Sequence, residues 1–183
     1  MTALRAFGSD REAPGRPGAP GTAPRTLSGN AVERVHRDPR LRLVVQYGIA
    51  APNLPSRTQL RRWATAALER DARVTVRIVG RREGRALNRT YRGKDYATNV
   101  LTFVFRDRPP FEGDLALCAP VVTSEAHARG LPVAAHYAHL VVHGLLHLQG
   151  YDHESAGDAR IMETRESRIV ARLGFSDPYR DAR

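Results

Sequence analysis

Three histidines near the end of a long apolar run have the spacing of ligands for one metal ion. His143 and His147 are four residues apart, and His153 follows six residues later. Residues four apart lie on one face of a helix, one turn apart, so these two imidazoles can point at the same ion. Gly150 can adopt a positive φ, end the helix and turn the chain so that His153 returns to the pair. Three neutral imidazoles with an open fourth position are typical of a catalytic zinc site.

Helix geometry also limits which histidines can share that ion. His139 has the same helical spacing, but it is eight residues from His147, roughly 12 Å along a helix axis at about 1.5 Å per residue. Two ligands of one zinc cannot be that far apart, so at most two of the three helical histidines share an ion. The third ligand must come from outside the helix. His153 behind Gly150 meets this requirement, and we find no equivalent residue beside the His139/His143 pair. An amphipathic helix with incidental histidines is the alternative.

Composition limits the class of protein. The 183 residues carry a formal net charge of +10 and one cysteine, Cys118, which excludes an intramolecular disulfide and fits a reducing compartment. The chain shows no signal-peptide pattern and no apolar run long enough to span a bilayer, so we predict a cytoplasmic protein without a membrane partner. Residues 1–40 hold five Pro and five Gly with few bulky apolar residues. We predict a disordered tail there and a single domain over residues 41–183.

Apolar periodicity predicts the elements that hold the histidines. Strands are expected at about 41–47, 73–79, 99–105 and 114–119. Helices are expected from a capping box at Ser56 and Gln59 to about Arg70, then near 82–91, at 120–129, from Pro132 through the histidine pair, and at about 155–173. This order indicates an α+β fold, with a small mixed four-stranded sheet packed with about five helices. The metal site would lie at the end of the long central helix. Trp63 and Tyr91 are predicted core residues.

Positive charge is concentrated in one part of the chain. Residues 57–94 carry 12 Lys or Arg side chains against three acidic ones, a local net charge of +9. Clustered arginine over a helix, a strand and a second helix predicts a phosphate-binding face. A solvated surface in an arginine-rich chain is an equally open alternative. Tyr96 is the aromatic side chain that could stack on a base.

The residues around the histidines bear on the reaction. The same spacing occurs in metzincin proteases, whose motif places Glu directly after the first His as general base. Here that position is Gly144, which can do no proton chemistry. A phosphodiesterase depends less on that carboxylate, because zinc can polarise a phosphoryl oxygen and an arginine can hold the developing charge. Asp152, next to His153, is either a partner that fixes an imidazole tautomer or a turn-forming aspartate.

The motif as a whole resembles a known family. Residues 143–153, His-Gly-Leu-Leu-His-Leu-Gln-Gly-Tyr-Asp-His, are similar to the signature of the YbeY family of bacterial endoribonucleases, the ribosomal RNA maturation factors. Two further blocks resemble the same family. One runs from Leu-Asn-Arg-Thr-Tyr-Arg-Gly-Lys-Asp at residues 87–95 to Thr-Asn-Val-Leu-Thr-Phe at 98–103, and the other is Gly-Asp-Leu-Ala-Leu-Cys at 113–118. The resemblance covers about residues 41–180.

This resemblance implies a single-strand-specific, metal-dependent endoribonuclease that acts in 16S ribosomal RNA 3′-end maturation and ribosome quality control. It implies one zinc ion on the three histidines, with ribosomal RNA and components of the small ribosomal subunit as partners. The family's functionally important arginine falls on Arg92, for which a helix-terminal arginine that interacts with the dipole is the alternative. Arg89 and Lys94 in the same block are the predicted RNA contacts. A metallopeptidase and a non-catalytic ribosome assembly factor remain alternatives.

Overall fold

A mixed β-sheet is the framework on which the histidine-bearing helix lies. The computed structural model of the chain describes residues 4–5 and 38–179. Within them the strands are β1 (Leu4–Arg5), β2 (Leu41–Tyr47), β3 (Ala72–Val79), β4 (Val100–Arg106) and β5 (Phe111–Cys118). Their order in the sheet is β1-β4-β5-β3-β2. β4 and β5 are antiparallel, and the other neighbouring pairs are parallel.

Five helices accompany the sheet in the part of the chain that is described. They are α1 (Arg57–Ala66), α2 (Arg81–Arg92), α3 (Ala119–Ala128), α4 (Val133–Leu148) and α5 (Ala156–Arg172). α4 is the central helix, because it packs against α1, α3, α5 and two strands, β4 and β5. The predicted α+β fold, with four strands, five helices and a long central helix, is confirmed. The two-residue β1 adds an edge strand beside β4.

α1 begins as predicted and ends earlier. The capping box is present: the Ser56 hydroxyl accepts from the Gln59 amide at 3.2 Å, and the Ser56 amide donates to Gln59 Oε1 at 2.9 Å. The helix then ends at Ala66, before the predicted boundary. Oε1 of Gln149 accepts the amide of Glu69 at 2.7 Å, which takes that amide out of the helical hydrogen-bond series. The amides of Ala67 and Leu68 already bond three residues back, so the contact from the end of α4 takes up the next amide after α1 has ended.

β5 begins earlier than predicted, at Phe111 and not at Asp114. The predicted strand left Gly113 outside, but this residue lies within β5. A Cβ added there would overlap the carbonyl oxygen of Phe103 on β4 and lie 2.5 Å from Leu148 Cδ1 of α4. A glycine within a strand is expected where another backbone approaches this closely. Gly113 is therefore a packing residue beneath α4.

α2 and α4 lie on opposite faces of the sheet. A Cβ added to Gly144 of α4 would be 2.5 Å from Leu115 of β5, whereas one added to Gly84 of α2 would be 3.1 Å from Sγ of Cys118 on the same strand. Leu115 and Cys118 are three residues apart, and side chains alternate across a strand, so they point to opposite faces. α1 packs against α4. The arginines of α1 and α2 are therefore divided between two sides of the sheet, and the single phosphate-binding face predicted for residues 57–94 is wrong.

The two predicted core residues, Trp63 and Tyr91, differ in burial. Trp63 is 1% exposed, and Cys118 is a buried free thiol. Tyr91 was predicted as core, but its side chain is 52% exposed. Its ring meets that of Phe103 edge-on, with ring centroids 5.0 Å apart. Because an edge-on contact of this kind covers only one side of a ring, much of the tyrosine stays in solvent.

Two predictions concern membranes and the N-terminal segment. Among residues 4–5 and 38–179, no helix is long and apolar enough to cross a bilayer. The predicted tail, residues 1–40, lies outside the described residues apart from positions 4–5 and 38–40. The tail and the domain boundary at residue 41 therefore stay predictions. Within that segment, Leu4 and Arg5 pair with Phe103 and Val104 of β4.

Candidate metal centre

α4 brings His143 and His147 together near its C-terminal end. Their ring centroids are 4.5 Å apart, with the ring planes at 86°. Both side chains are largely withdrawn from solvent, His143 at 9% and His147 at 4% exposure. The neighbouring Leu145 and Leu146 are fully buried in the hydrophobic core. Apolar packing of α4 therefore fixes the backbone from which the two imidazoles project.

Gly150 turns the chain after α4 and brings back His153. Its φ of 92° lies in the region that favours glycine, and its amide donates to the carbonyl of His147 at 3.0 Å. The His153 ring is 4.9 Å from that of His147 and 5.7 Å from that of His143. Each of the three histidines offers a ring nitrogen, and these nitrogens lie within 4.8 Å of one another. The three predicted ligands thus form one cluster that could hold a metal ion.

Hydrogen bonds fix the orientation of the two α4 imidazoles. Nδ1 of His147 lies 2.9 Å from the carbonyl oxygen of Tyr151, which can only accept, so Nδ1 carries the proton. Nδ1 of His143 lies 2.8 Å from Oε1 of Glu166. Nε2 of both histidines is buried without a hydrogen-bond partner among the described residues. Metal-binding histidines use one nitrogen as ligand and donate the other to a carboxylate or carbonyl, so the cluster fits a metal ion.

Burial keeps His147 in the form that binds metals. Desolvation lowers its pKa from 6.5 to about 4, and the neighbouring His143 and His153 add to the shift. The Tyr151 carbonyl and the Asp152 carboxylate act in the opposite direction with less effect. The imidazole is therefore neutral at physiological pH, and no proton has to leave before a metal binds.

Glu166 of α5 is part of this centre, and sequence reasoning missed it. The side chain is fully buried. Its carboxylate lies 2.8 Å from Nδ1 of His143 and 2.7 Å from Nε2 of His139, and the Tyr179 hydroxyl donates to it as well. Burial alone would raise the pKa of Glu166, but the hydrogen bonds from the two imidazoles outweigh it and lower the pKa to about 2. The carboxylate is therefore charged.

The apolar pattern of α5 contained a signal for this residue. Met162, Ile169, Val170 and Leu173 form the buried stripe of the helix. Glu166 lies four residues after Met162 and three before Ile169, which places it on the same stripe. A carboxylate at a core position needs a buried partner. The histidines of α4 were the candidates for that partner.

His139 joins the centre through Glu166. Its ring centroid is 6.2 Å from that of His143. The expectation that nothing lies beside the His139/His143 pair is wrong, because these two residues and Glu166 also offer ligand atoms within 4.8 Å of one another. Their contacts of 2.7 and 2.8 Å are hydrogen bonds. Two ligands at about 2.0–2.1 Å from a tetrahedral zinc would be about 3.3 Å apart. The spacing of His139, His143 and Glu166 is therefore that of a hydrogen-bonded group, closer than the spacing of zinc ligands.

Asp152 holds the backbone of the loop after α4. Its Oδ1 accepts from the amide of His153 at 2.8 Å. The sequence left two roles open for this residue, to fix an imidazole tautomer or to form a turn. For the two α4 histidines, Glu166 and the carbonyl of Tyr151 are the groups that contact Nδ1 and fix the tautomer.

The predicted cationic residues lie at the end of α2 and in the following loop. Arg92 is the last residue of the helix, which Gly93 ends with a φ of 67°. Arg92 is partly buried, and burial lowers its pKa while the neighbouring Tyr96 raises it. Arg89 and Lys94 are exposed. The catalytic role of Arg92 and the RNA contacts of Arg89 and Lys94 stay predictions.

Comparison with known proteins agrees with the histidine motif. The family model described as Endoribonuclease YbeY matches residues 55–174. The Endoribonuclease YbeY of Aromatoleum aromaticum is 57% identical over 143 residues, which cover 76% of this chain and 93% of that protein. The Endoribonuclease YbeY of Thiobacillus denitrificans is 56% identical over 143 residues, covering 77% and 97%. The solution structure of TM1509 from Thermotoga maritima aligns with a TM-score of 0.47 at 26% identity, covering 76% of this chain and 98% of that one. By its sequence, the chain belongs to the Endoribonuclease YbeY family.

Proposed function

We propose that the chain is a metal-dependent endoribonuclease that hydrolyses phosphodiester bonds in single-stranded RNA. One observation carries the proposal: His143, His147 and His153 bring three ring nitrogens within 4.8 Å of one another. Three imidazole ligands leave a coordination position open, which a catalytic site requires and a closed structural site lacks. Membership of the Endoribonuclease YbeY family supports RNA as the substrate.

We assign zinc as the metal, with one ion per chain. Neutral imidazole nitrogens suit zinc, and three of them with an open position are a common catalytic zinc arrangement. When bound, zinc supplies Lewis-acid polarisation of a phosphoryl oxygen and lowers the pKa of a water molecule. The protein's own part is to orient the ligands. Glu166 and the Tyr151 carbonyl hold the Nδ1 atoms of His143 and His147, so that each Nε2 keeps its lone pair.

Arg92 is the residue that we assign to the reacting phosphate. A planar guanidinium can donate two hydrogen bonds to phosphoryl oxygens and stays charged as negative charge builds up there. Arg92 is partly buried, and an ion pair at a site shielded from water is stronger than one in bulk solvent. Its resemblance to the family's important arginine supports the assignment.

The physiological substrate in this proposal is ribosomal RNA. The reaction would be maturation of the 16S ribosomal RNA 3′ end, with a further role in ribosome quality control and with small-subunit components as partners. Such a substrate places the protein in the cytoplasm. Arg89 and Lys94 would contact phosphates, and Tyr96, whose side chain is 59% exposed, could stack on an unpaired base.

A peptidase is the weaker reading of the same histidines. In the metzincin motif the residue after the first histidine is the general base. That residue here is Gly144, and even a Cβ at this position would be 2.5 Å from Leu115. The helix therefore has no room for a carboxylate there.

The decisive experiment compares substrates and metals in one preparation. Purified protein is stripped of metal, reconstituted with zinc, and incubated with ribosomal RNA precursor and, separately, with a peptide library. We expect endonucleolytic RNA cleavage that disappears on stripping, returns with zinc, and is absent in His147→Ala. Cleavage of peptides without cleavage of RNA would favour the peptidase. No cleavage of either substrate by metal-replete protein would favour an assembly factor.

A further inference from the structure

Glu166 is a buried carboxylate whose hydrogen-bond partners are His139, His143 and Tyr179. Its exposure is 0%, and each of its two oxygens has its own partners. Oε1 lies 2.8 Å from Nδ1 of His143. Oε2 lies 2.7 Å from Nε2 of His139 and also accepts from the Tyr179 hydroxyl. A charged group without contact to water is costly to keep in a core, and apolar residues fill such space at least as well.

We propose that Glu166 is a positioning residue for His143 and thereby for the metal. The inference rests on the proposed metal-dependent function. By accepting the Nδ1 proton, Oε1 holds the His143 ring in one orientation and leaves Nε2 unprotonated. Nε2 of His143 is one of the buried ring nitrogens that have no hydrogen-bond partner in the described part of the chain. A carboxylate behind a ligand imidazole fixes its tautomer and makes it more basic.

His139 and Tyr179 hold the carboxylate itself. Both contact the same oxygen, Oε2, so they fix the carboxylate plane while Oε1 stays available to His143. The ring of Tyr179 also packs edge-on against that of His139, with centroids 5.5 Å apart. In this arrangement His139 stabilises the acceptor and is not itself a ligand, which agrees with the helix distance that separates it from His147.

The contact also ties the C-terminal segment to the metal centre. Tyr179 follows Gly174, whose φ of 91° turns the chain after α5. Asp177 accepts from the hydroxyl of Ser167 on α5 at 2.7 Å, and the carbonyl of Pro178 accepts from Arg129 at 2.7 Å. These bonds anchor the segment to the body of the protein. Through Glu166, the orientation of His143 is therefore linked to Tyr179, which lies 36 positions further along the chain.

The test uses two glutamates that each contact a histidine of α4, Glu166 from α5 and Glu125 from α3. Glu166→Gln keeps the size of the side chain but cannot accept from all three donors, because one oxygen becomes an NH2 group. We expect zinc affinity, measured by competition with a chelator, to fall about 10- to 100-fold. Glu125→Gln is the control, since Glu125 contacts Nε2 of His136 at 2.7 Å in the same way, and His136 is not a ligand. Its zinc affinity should equal that of the wild type.

Further readouts separate positioning from general stability. The thermal melt of the metal-free proteins reports on the fold, and the visible spectrum of the Co²⁺-substituted proteins reports on ligand geometry. Tyr179→Phe keeps the ring and removes one donor, so it should weaken zinc binding less than Glu166→Gln and change the Co²⁺ spectrum in the same direction. It also serves as the test if Glu166→Gln fails to fold.

Three outcomes would overturn the inference. The first is unchanged zinc affinity and Co²⁺ spectrum in Glu166→Gln, or in Tyr179→Phe if the first variant does not fold. The second is an equal loss of affinity in Glu125→Gln, which would show a non-specific effect. The third is a stoichiometry of two metals per chain that falls to one in Glu166→Gln, since Glu166 would then be a ligand. A wild-type protein that binds no metal at all would instead refute the proposed function.

Discussion

Gly144 of α4 lies directly against Leu115 of β5. A Cβ added to the glycine would be 2.5 Å from Leu115 Cδ2, 2.9 Å from its Cγ and 3.2 Å from Oγ1 of Thr102. The helix approaches the sheet this closely because residue 144 has no side chain. His143 immediately precedes this contact and His147 follows it by three residues. Gly144 occupies the position of the metzincin general base, and it is therefore also the residue that lets the metal-binding helix pack closely on the sheet.

Gly144→Ala should lower stability although alanine is the better helix former. Overpacking of a core costs about 1–3 kcal/mol, and helix propensity returns only about 1 kcal/mol. We expect a lower melting temperature and weaker zinc binding, because α4 must move away from Leu115. Gly157→Ala near the start of α5 is the control, since its Cβ would meet Ser155 Oγ at an ordinary 3.7 Å. A Gly144→Ala protein that melts like the wild type would contradict the tight contact.

The ligand assignment predicts a ranking among the histidine variants. His143→Ala and His147→Ala each remove an imidazole whose Nε2 is buried and unpaired in the described structure, so metal content should fall strongly. His139→Ala removes only a partner of Glu166 and should still bind one metal ion per chain at saturating zinc. Elemental analysis of the purified proteins measures this. If the first two variants kept stoichiometric metal, the assignment would be wrong.

The sequence predicted the parts of the site that depend on local geometry. The spacing of His143 and His147 follows from one turn of helix, and Gly150 was recognisable as the turn that returns His153. Glu166 was missed because it is supplied by a helix that begins after the motif, and its role depends on how α5 packs on α4. The length of α1 was misjudged for a similar reason, since the amide of Glu69 just beyond its end bonds to Gln149, which belongs to a distant element.

The charge pattern along the sequence did not predict which charged residues share a surface. Residues 57–94 are continuous along the chain, but α1 and α2 pack on opposite faces of the sheet. Whether two charged segments share a face depends on the handedness and order of the connections, which composition does not contain. Local net charge therefore identified candidate arginines and not the surface that they form.

Acid stability should depend on Glu125. Burial raises its pKa, but hydrogen bonds from His136 and Asn99 outweigh this and lower it below the usual 4.5. A carboxylate whose pKa is lower in the folded state contributes stability above its unfolded pKa and loses it as the pH falls toward the folded value. Metal-free Glu125→Gln should therefore lose less stability than the wild type as the pH falls below 4.5. Denaturant unfolding at a series of pH values measures this, and parallel profiles would contradict it.

Because the proposed function assigns Arg89 and Lys94 to phosphate contacts, RNA binding should depend on charges at the end of α2 and not on those of α1. Each phosphate contact adds about 0.7 to the slope of log affinity against log salt concentration for single strands. Arg89→Glu and Lys94→Glu should flatten that slope. Arg61→Glu makes the same change of charge at an exposed position on α1 and is the control. Arg62 is unsuitable because it donates to the carbonyl of Leu173 at 3.2 Å. A flatter slope in Arg61→Glu alone would move the RNA to the α1 side.

Loss of Arg92 should damage the transition state more than the metal site. Arg92→Ala touches no proposed ligand, so its zinc content should equal that of the wild type. Removing one electrostatic contact to developing charge typically costs about a hundred- to a thousand-fold in rate, or roughly 3–4 kcal/mol. Arg92→Lys should recover only part of this, because an ammonium cannot reproduce the planar two-donor fork.

The measurement is single-turnover cleavage of an unstructured RNA by zinc-replete protein, with exposed Arg82→Ala in the first turn of α2 as control. Wild-type rates in Arg92→Ala would remove this residue from the mechanism, whereas a loss of zinc together with activity would make its role structural.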